Sequence, residues 1–352
     1  MAKWEEYVRK VEPYVPGEQP KVSGIIKLNT NENPYPPTPM VRESLNKTEV
    51  DSFRLYPDPC VTDLVKAIAD NYKVGEDQVF VGVGSDDVLG MCFMTFFNSD
   101  KPILFPEISY SFYSVWADML RIPYKKLELD ENFNIIADSF NVENGGIVFP
   151  NPNAPTSIAM DISEVEKIIA ANPDSIVIVD EAYVDFGAVS ALPLIEKYDN
   201  LIVVQTFSKS RSMAGMRIGY AISNPKIIKM LNDVKFSYNS YTMNRTAINY
   251  GVASIKDKDY FNDCVSRIIA SRERSKEELK KLGFTFPDSK ANFIFASHRS
   301  MKAAEIFDRL KEEKIYVRYF NQPKIDNYLR ITIGTDEEMD RLFEALKRIL
   351  NS

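Results

Sequence analysis

Residues 201–220 read LIVVQTFSKSRSMAGMRIGY. The first five, Leu201 to Gln205, form an apolar run that predicts a buried strand. A polar segment follows at once, with Lys209 and Arg217 among small and hydroxyl residues. Most lysines lie on the surface, so this segment taken alone is a solvated loop with two cations. A lysine that is shielded from water near a second cation is instead a nucleophilic amine, and an arginine beside it can bind phosphate.

The composition restricts the class of protein. The chain has 352 residues, 45% apolar and 26% charged, which fits a soluble globular protein with room for two domains. A formal net charge of −7 argues against nucleic-acid binding, because phosphate backbones require a positive face. The N-terminal region is charged throughout and no long apolar run occurs, so we expect neither a signal peptide nor a membrane span. Three widely spaced cysteines favour a reducing cytoplasm, and a single histidine excludes a multi-histidine zinc site.

Short β-branched runs alternate with amphipathic segments through the first two thirds of the chain. This alternation predicts an α/β domain with a largely parallel sheet covered by helices on both faces. The segment before it is rich in proline, asparagine and charge and reads as an extended arm. From about residue 246 a long helical stretch leads into a smaller α+β region. The predicted division is an arm over 1–35, a large domain over 36–245 and a small domain over 246–352.

Three of the apolar runs end in residues that could carry chemistry. Gly84-Ser85-Asp86 follows one run, Asp180 and Tyr183 follow another, and Lys209 follows the third. Each group alone has an ordinary explanation, namely a helix cap, a paired acid or a surface loop. Ligands of open α/β sheets, however, bind beyond the carboxyl ends of the strands, where all three groups should meet.

Together these residues match the needs of pyridoxal 5′-phosphate. The lysine can form an imine with the aldehyde, and Asp180 can keep the ring nitrogen protonated. The helix that begins at Ser85, with Ser208 and Arg217, can hold the phosphate.

Longer motifs then identify a family. They are PYVPGEQP (13–20), KLNTNENPYPPTP (27–39), RLYPDP (54–59), NPNAPTS (151–157), VDEAYVDF (179–186), TFSKSRSMAGMRIGY (206–220) and LRITIGT (329–335). In their order and spacing, over nearly the whole chain, they resemble the fold-type I aminotransferases and within them the histidinol-phosphate aminotransferases of the class II subgroup. The resemblance implies a large domain with a mainly parallel sheet between helices, a smaller α+β domain and an N-terminal arm. It also implies a homodimer with shared active sites.

The resemblance assigns roles to individual residues. Lys209 would form the Schiff base and carry the proton, Asp180 would pair with the ring nitrogen, and Tyr183 would contact the ring oxygen. The implied cofactor-binding set is Gly84, Ser85, Asp86, Tyr110, Asn153, Asp180, Tyr183, Thr206, Ser208, Lys209, Arg217 and, from the neighbouring subunit, Tyr56.

The same resemblance implies a substrate site. Arg330 would hold the α-carboxylate of glutamate, and Arg318 and Tyr14 are candidates for a substrate phosphate. Asn33 and Tyr56 complete the implied set. Arg318 has a plain alternative as a surface strand residue.

The segment NPNAPTS departs from the family pattern at two positions. The asparagine that usually contacts the ring oxygen is replaced by Ala154, with Asn153 before it, and the following glycine is replaced by Ser157. Either Asn153 takes over the contact or the contact is lost.

The predicted activity is transamination between L-glutamate and imidazole-acetol phosphate in histidine biosynthesis. A lyase similar to threonine-phosphate decarboxylase and an aromatic amino-acid aminotransferase remain open as alternatives. A non-catalytic module that only binds the cofactor is a further alternative.

Overall fold

The computed structural model of the chain describes residues 3–351. Its α-helices are α1 (Pro39–Asn46), α2 (Thr62–Tyr72), α3 (Ser85–Phe96), α4 (Phe112–Leu120), α5 (Ile162–Ala171), α6 (Pro225–Tyr238), α7 (Arg245–Lys256), α8 (Lys258–Lys281), α9 (Ala303–Glu312) and α10 (Asp336–Leu350). Its strands are β1 (Ile26–Lys27), β2 (Val79–Gly82), β3 (Ile103–Pro106), β4 (Tyr124–Leu127), β5 (Ile147–Pro150), β6 (Val177–Asp180), β7 (Leu201–Thr206), β8 (Gly219–Ile222), β9 (Phe284–Thr285), β10 (Phe293–His298), β11 (Ile315–Tyr316), β12 (Arg318–Tyr319) and β13 (Leu329–Thr332). Short 3-10 helices span Lys3–Tyr7, Val50–Arg54, Glu76–Gln78, Ala137–Phe140, Val184–Phe186, Leu192–Glu196 and Ala214–Met216.

A seven-stranded sheet in the order β2-β8-β7-β6-β5-β3-β4 forms the centre of the larger part. Its strands are parallel except β8, which runs antiparallel to both β2 and β7. Successive residues of β6 face opposite sides: Val177 and Val179 join the core beneath α2, α5 and α7, and Ile178 joins the core beneath α3, α4 and α6. The predicted, mainly parallel sheet between two helical layers is confirmed.

The smaller part is built on an antiparallel sheet in the order β12-β13-β10-β9. Helices α8, α9 and α10 supply apolar side chains to its core. Helix α10 begins with a capping box, in which the Thr335 hydroxyl accepts from the Glu338 N–H and the Glu338 carboxylate accepts from the Thr335 N–H. The segment predicted as an arm contributes β1, which pairs in parallel with β11.

The three-part division itself stays a prediction. Helix α7 begins at the predicted boundary and packs against α1 and α2, while Ile26 and Leu28 of the arm lie in the core of the smaller part.

The sheet registers bring the predicted site together. Pro150 of β5, Asp180 of β6 and Val204 of β7 lie side by side at the carboxyl edge of the large sheet. In the small sheet, Arg318 of β12 lies opposite Arg330 of β13. The chain segments that follow β5, β6 and β7 therefore face the two arginine-bearing strands.

No helix within residues 3–351 is long and apolar enough to cross a bilayer. The same residues contain no cluster of histidine, cysteine and acidic side chains that could hold a metal ion.

Candidate active site

A cavity of about 390 Å³ lies between the carboxyl edge of the large sheet and the small sheet. Most of the residues that the sequence singled out line it, and they come from both parts of the molecule. They are Tyr14, Ser85, Asp86, Tyr110, Asp180, Tyr183, Thr206, Ser208, Lys209, Arg217, Arg318 and Arg330. Of the described residues predicted for the site, Gly84, Asn33, Asn153 and Tyr56 lie outside this lining.

A second cleft, of about 650 Å³, lies between the turn around Phe133 and residues 285–290. It is larger, but among the described residues its lining contains none of those predicted for the site. The smaller cavity combines a lysine, three arginines and a buried carboxylate, so it is the better candidate for chemistry.

Lys209 enters the cavity from the loop after β7. Its Nζ lies 3.3 Å from the carbonyl oxygen of Thr30 and 5.6 Å from the centre of the Tyr183 ring. The amide of Asn33 donates to the backbone carbonyls of Lys209 and Ser210, each at 3.1 Å. Asn33 thus braces the loop that carries the lysine, and its predicted contact with substrate stays a prediction.

Asp180 ends β6 and is only 4% exposed. The Tyr113 hydroxyl donates to its Oδ2 at 2.9 Å, and the Ala182 N–H donates to its Oδ1 at 3.2 Å. Burial raises the pKa of Asp180 to about 6, although these hydrogen bonds and the charge of Lys209 act to lower it. A cation facing this carboxylate would offset the cost of its burial, and a protonated ring nitrogen would be such a cation.

Two glycines keep the start of helix α3 open. Gly84 has a φ of +85°, and a Cβ there would lie 2.5 Å from the Arg217 guanidinium. A Cβ on Gly219 would lie 2.3 Å from the backbone nitrogen of Ser85. No side chain of the described residues caps α3, so its first N–H groups are available to an anion.

Charged and hydroxyl groups surround this helix start. Arg217 pairs with Asp86 at 2.9 Å, and the Tyr110 hydroxyl donates to the other oxygen of that carboxylate at 2.7 Å. The Thr206 hydroxyl donates to Ser208 at 3.0 Å. An open helix start with an arginine and two hydroxyls fits a phosphate group, so the residues present suit the phosphate of the predicted cofactor.

Arg330 presents a partly buried guanidinium to the cavity. It donates to the carbonyl of Asn29 at 3.0 Å and lies 5.4 Å from the Phe293 ring and 5.5 Å from the Phe320 ring. Its Nε has no hydrogen-bond partner among the described residues, and burial lowers its pKa. A partly buried guanidinium that has no acidic partner within residues 3–351 is suited to a carboxylate that arrives with a ligand.

The arm contributes side chains to the lining of the cavity. Tyr14 stacks on Phe112 with the ring centres 4.3 Å apart, and Gly17 and Gln19 line the cavity beyond it. The segment is held by the Asn29 amide, which donates to the carbonyl of Glu18 at 2.8 Å. The arm therefore forms part of the wall.

Asn153 and Ala154 take different positions. The Asn153 amide is buried and donates to the Ile108 carbonyl at 2.9 Å and to Thr156 at 3.0 Å. Ala154 lines the cavity in its place. A contact between Asn153 and the cofactor stays a prediction.

Tyr56 is 79% exposed and stacks near Tyr241, with the ring centres 4.7 Å apart. Its carbonyl accepts from Arg245 at 3.0 Å.

Sequence reasoning missed two polar contacts of the site. Tyr113 is not among the predicted site residues, yet its hydroxyl donates to Asp180. Asn31 lies in the NENP segment, and its amide donates to the Tyr183 hydroxyl at 2.9 Å. A polar residue within a proline-rich arm was a signal for Asn31, whereas nothing in the sequence separates Tyr113 from its aromatic neighbours.

Known proteins resemble this chain over nearly its full length. A family model described as aminotransferase class I and II matches residues 23–346. The histidinol-phosphate aminotransferases of Brachyspira hyodysenteriae and Lactococcus lactis are each 50% identical to it, over 98% and 99% of this chain and 98% of each relative. A solved histidinol-phosphate aminotransferase from Sinorhizobium meliloti, in complex with pyridoxal-5′-phosphate, matches with a TM-score of 0.84 at 24% identity, covering 93% of this chain and 91% of that one. The structural match confirms the predicted fold class.

Proposed function

The chain belongs to the class I and II aminotransferase family, and on that premise we propose that it is a histidinol-phosphate aminotransferase. It would transfer the amino group of L-glutamate to imidazole-acetol phosphate, giving L-histidinol phosphate and 2-oxoglutarate, a reaction of histidine biosynthesis. The observation that carries the proposal is the 50% identity, over nearly the whole chain, with proteins of that name. The cavity supports it, because separate cationic groups are available for a cofactor phosphate, a substrate carboxylate and a substrate phosphate.

The cofactor of this family is pyridoxal 5′-phosphate. When bound, it supplies an aldehyde for an imine and a ring that withdraws electrons from the substrate's α-carbon. The Lys209 amine would hold the aldehyde carbon, Asp180 the ring nitrogen and Tyr183 the ring oxygen. The phosphate would be held by the start of α3 with Thr206, Ser208 and Arg217, and Tyr110 would lie against the ring face.

The remaining steps belong to side chains of the protein. The Lys209 Nζ would remove the proton from the substrate's α-carbon. The hydrogen bond from Asn33 to the Lys209 carbonyl holds the loop that positions this amine. The carboxylate of Asp180 would keep a proton on the nitrogen that faces it. Arg330 would bind the α-carboxylate of glutamate, and Arg318 with Tyr14 would face the phosphate end of the other substrate.

A homodimer with shared sites completes the proposal. Tyr56 lies outside the cavity of its own chain, so it would reach the cofactor phosphate of a neighbouring subunit. The chain exposes further large apolar side chains, and contiguous patches of such side chains mark interfaces. They include Val50, Phe53, Leu55, Tyr238 and Tyr241. A cytoplasmic location is also proposed, supported by the free state of Cys60, Cys92 and Cys264.

The alternatives have less support. A lyase acting on threonine phosphate would use the same lysine, acid and phosphate-binding groups, and an aromatic aminotransferase would use the same Arg330. The relatives at 50% identity are named histidinol-phosphate aminotransferases, and these names support neither the lyase nor the aromatic aminotransferase. They also give no support to a module without catalytic activity.

A substrate screen with two matched variants tests the proposal. Glutamate should convert the bound cofactor to its amine form, and imidazole-acetol phosphate should then be a better acceptor, by kcat/KM, than an aromatic keto acid. Arg318→Gln should lower kcat/KM for the phosphorylated acceptor at least tenfold, because losing one charged contact costs about 1.4 kcal/mol or more. The kcat/KM for the aromatic keto acid should stay nearly unchanged. Arg330→Gln should impair the reactions of glutamate and of both amino products.

The contrary result is equally definite. Release of carbon dioxide from threonine phosphate, without any reaction of glutamate, would replace the transaminase by the lyase. Equal losses for both acceptors in Arg318→Gln would remove Arg318 from the phosphate site.

A further inference from the structure

Asn31 is buried and strongly constrained. It is 1% exposed and has a φ of +56°, a left-handed conformation that asparagine adopts more readily than most residues. Its N–H donates to the Thr332 hydroxyl at 3.0 Å, and its carbonyl accepts from the Asn292 amide at 3.1 Å. The side-chain Nδ2 and Oδ1 also form hydrogen bonds, so all four polar groups of Asn31 have partners.

The hydrogen bonds define the orientation of the Asn31 amide. Because the Thr332 hydroxyl accepts from the Asn31 N–H, its own proton is free to point at the Asn31 Oδ1, which lies 3.0 Å away. The Nδ2 therefore faces the Tyr183 oxygen, 2.9 Å away, and donates to it. A tyrosine oxygen that accepts from Asn31 must direct its own proton to a different acceptor.

No acceptor for the Tyr183 proton is found among residues 3–351, and the side chain lines the cavity. We propose that Asn31 is a positioning residue, which turns the Tyr183 hydroxyl into an obligate donor to the ring oxygen of the cofactor. This inference rests on the cofactor of the proposed function and is independent of which substrate is used.

The replacement at Ala154 gives the orientation its importance. In the family pattern an asparagine at that position contacts the ring oxygen, whereas Ala154 brings a methyl group to the cavity. Asn153 cannot supply the contact from its present position, because its amide is committed to Ile108 and Thr156. Tyr183 is then the donor that remains for that oxygen, and Asn31 determines where its proton points.

The near-isosteric variant Asn31→Asp reverses the hydrogen bond. A carboxylate can accept from Thr332 and also from Tyr183, so the tyrosine proton would turn away from the ring oxygen. Aspartate also tolerates the left-handed backbone, so the local conformation should persist. A hydrogen bond to the ring oxygen favours its anion, so losing that bond should raise the pH at which the bound cofactor changes its visible absorbance.

The test is a pH titration of that absorbance in cofactor-loaded protein without substrate. Asn31→Asp should raise the midpoint by about one pH unit, as Tyr183→Phe should, since one unit corresponds to about 1.4 kcal/mol. A double-mutant cycle separates the effect of the added carboxylate charge from the effect transmitted through the Tyr183 hydroxyl. If Asn31 acts through the hydroxyl, Asn31→Asp should shift the midpoint little further in a Tyr183→Phe background.

Two results would overturn the inference. One is an unchanged midpoint in Asn31→Asp, and the other is an equal shift with and without the Tyr183 hydroxyl. Should Asn31→Asp not fold, Thr332→Val and Thr332→Ser form a second pair. Valine releases the Asn31 amide and should raise the midpoint, whereas serine keeps the hydroxyl and should not; equal midpoints would contradict the proposal. An error in the proposed substrate leaves these titrations unaffected.

Discussion

Asp180, which lines the cavity, shows how a single buried carboxyl group can oppose stability. Burial raises the pKa of its carboxyl to about 6, from an ordinary value of 3.8. The folded protein therefore binds a proton at Asp180 more tightly than the unfolded chain does. Stability from this group is present at low pH and is lost as the pH rises from about 4 through 6. The hydrogen bond from Tyr113 reduces this loss but does not abolish it.

Asp180→Asn should therefore stabilise the cofactor-free protein at pH 8. Asparagine retains an acceptor for Tyr113 and has no charge to desolvate, so we expect a gain on the order of 2 kcal/mol at pH 8. At pH 4 the gain should be close to zero, because the wild-type carboxyl is then protonated when folded. Urea unfolding at the two pH values measures the difference.

The exposed Asp174→Asn, before the same strand, is the matched control and should change stability little at either pH. Glu181, whose pKa burial raises to about 7, is present in both proteins and cancels from the comparison. A variant that is less stable than wild type at pH 8 would show that Asp180 is not penalised by burial.

Sequence reasoning located site residues when they follow strands and missed them when they act through another side chain. Asp180 and Lys209 end or follow buried strands, so the rule that sites lie at strand ends brought them together. Tyr113 reaches Asp180 from helix α4, and Asn31 reaches Tyr183 from the arm. Those contacts depend on how distant segments pack, which local patterns do not encode.

At the scale of elements, the turn at Phe133 ties the large part to the small sheet. A bridge between Leu129 and Ile135 closes the turn, and Phe133 has a φ of +65° at its tip. The Phe133 ring packs edge-on against Phe295, at 5.7 Å, and Tyr328, at 5.2 Å. Phe295 of β10 lies opposite Arg330 of β13, so this contact supports the strand pair that carries the proposed carboxylate-binding residue.

Phe133→Ala should loosen that strand pair. Loss of a partly buried aromatic ring should destabilise the protein by roughly 2 kcal/mol. Because Arg330 would be held less firmly, KM for glutamate should rise several-fold with a smaller change in kcat. Steady-state kinetics and thermal unfolding measure the two effects.

Asn132→Ala removes an exposed side chain from the same turn and is the control. A Phe133→Ala protein that loses stability while keeping its KM for glutamate would show that the contact supports folding alone.

The strands that the sequence did not reveal are those with weak or short patterns. The apolar runs of the sequence correspond to β2, β3, β5, β6 and β7. Strand β4, with the sequence YKKL at the edge of the sheet, carries two exposed lysines instead. Strand β8 begins at Gly219, directly after the polar loop. Its antiparallel position between β2 and β7 is set by packing in the folded sheet. Strand β1 has two residues and exists through its pairing with β11.

At the scale of the whole molecule, Tyr56 supports a shared active site. It is exposed on the chain's own surface, and its ring lies against that of Tyr241, which is also exposed. If a neighbouring subunit uses it, each cavity of the proposed dimer contains Lys209 from one chain and Tyr56 from the other. The single mutants Lys209→Ala and Tyr56→Phe would then damage every site in their own dimers, but through different chains.

Mixed dimers of these two mutants decide the arrangement. A hybrid has one cavity with both defects and one cavity with neither, so its activity should recover to half that of a wild-type dimer. Random exchange makes about half of all dimers hybrid, and the mixture should therefore reach about a quarter of wild-type activity. If Tyr56 served its own chain, each hybrid would pair the Tyr56→Phe defect with a functional lysine, and mixing would give only the average of the two parents. Measuring activity before and after subunit exchange distinguishes the two cases. An affinity tag on one mutant, with co-purification of the untagged mutant, verifies that exchange occurs.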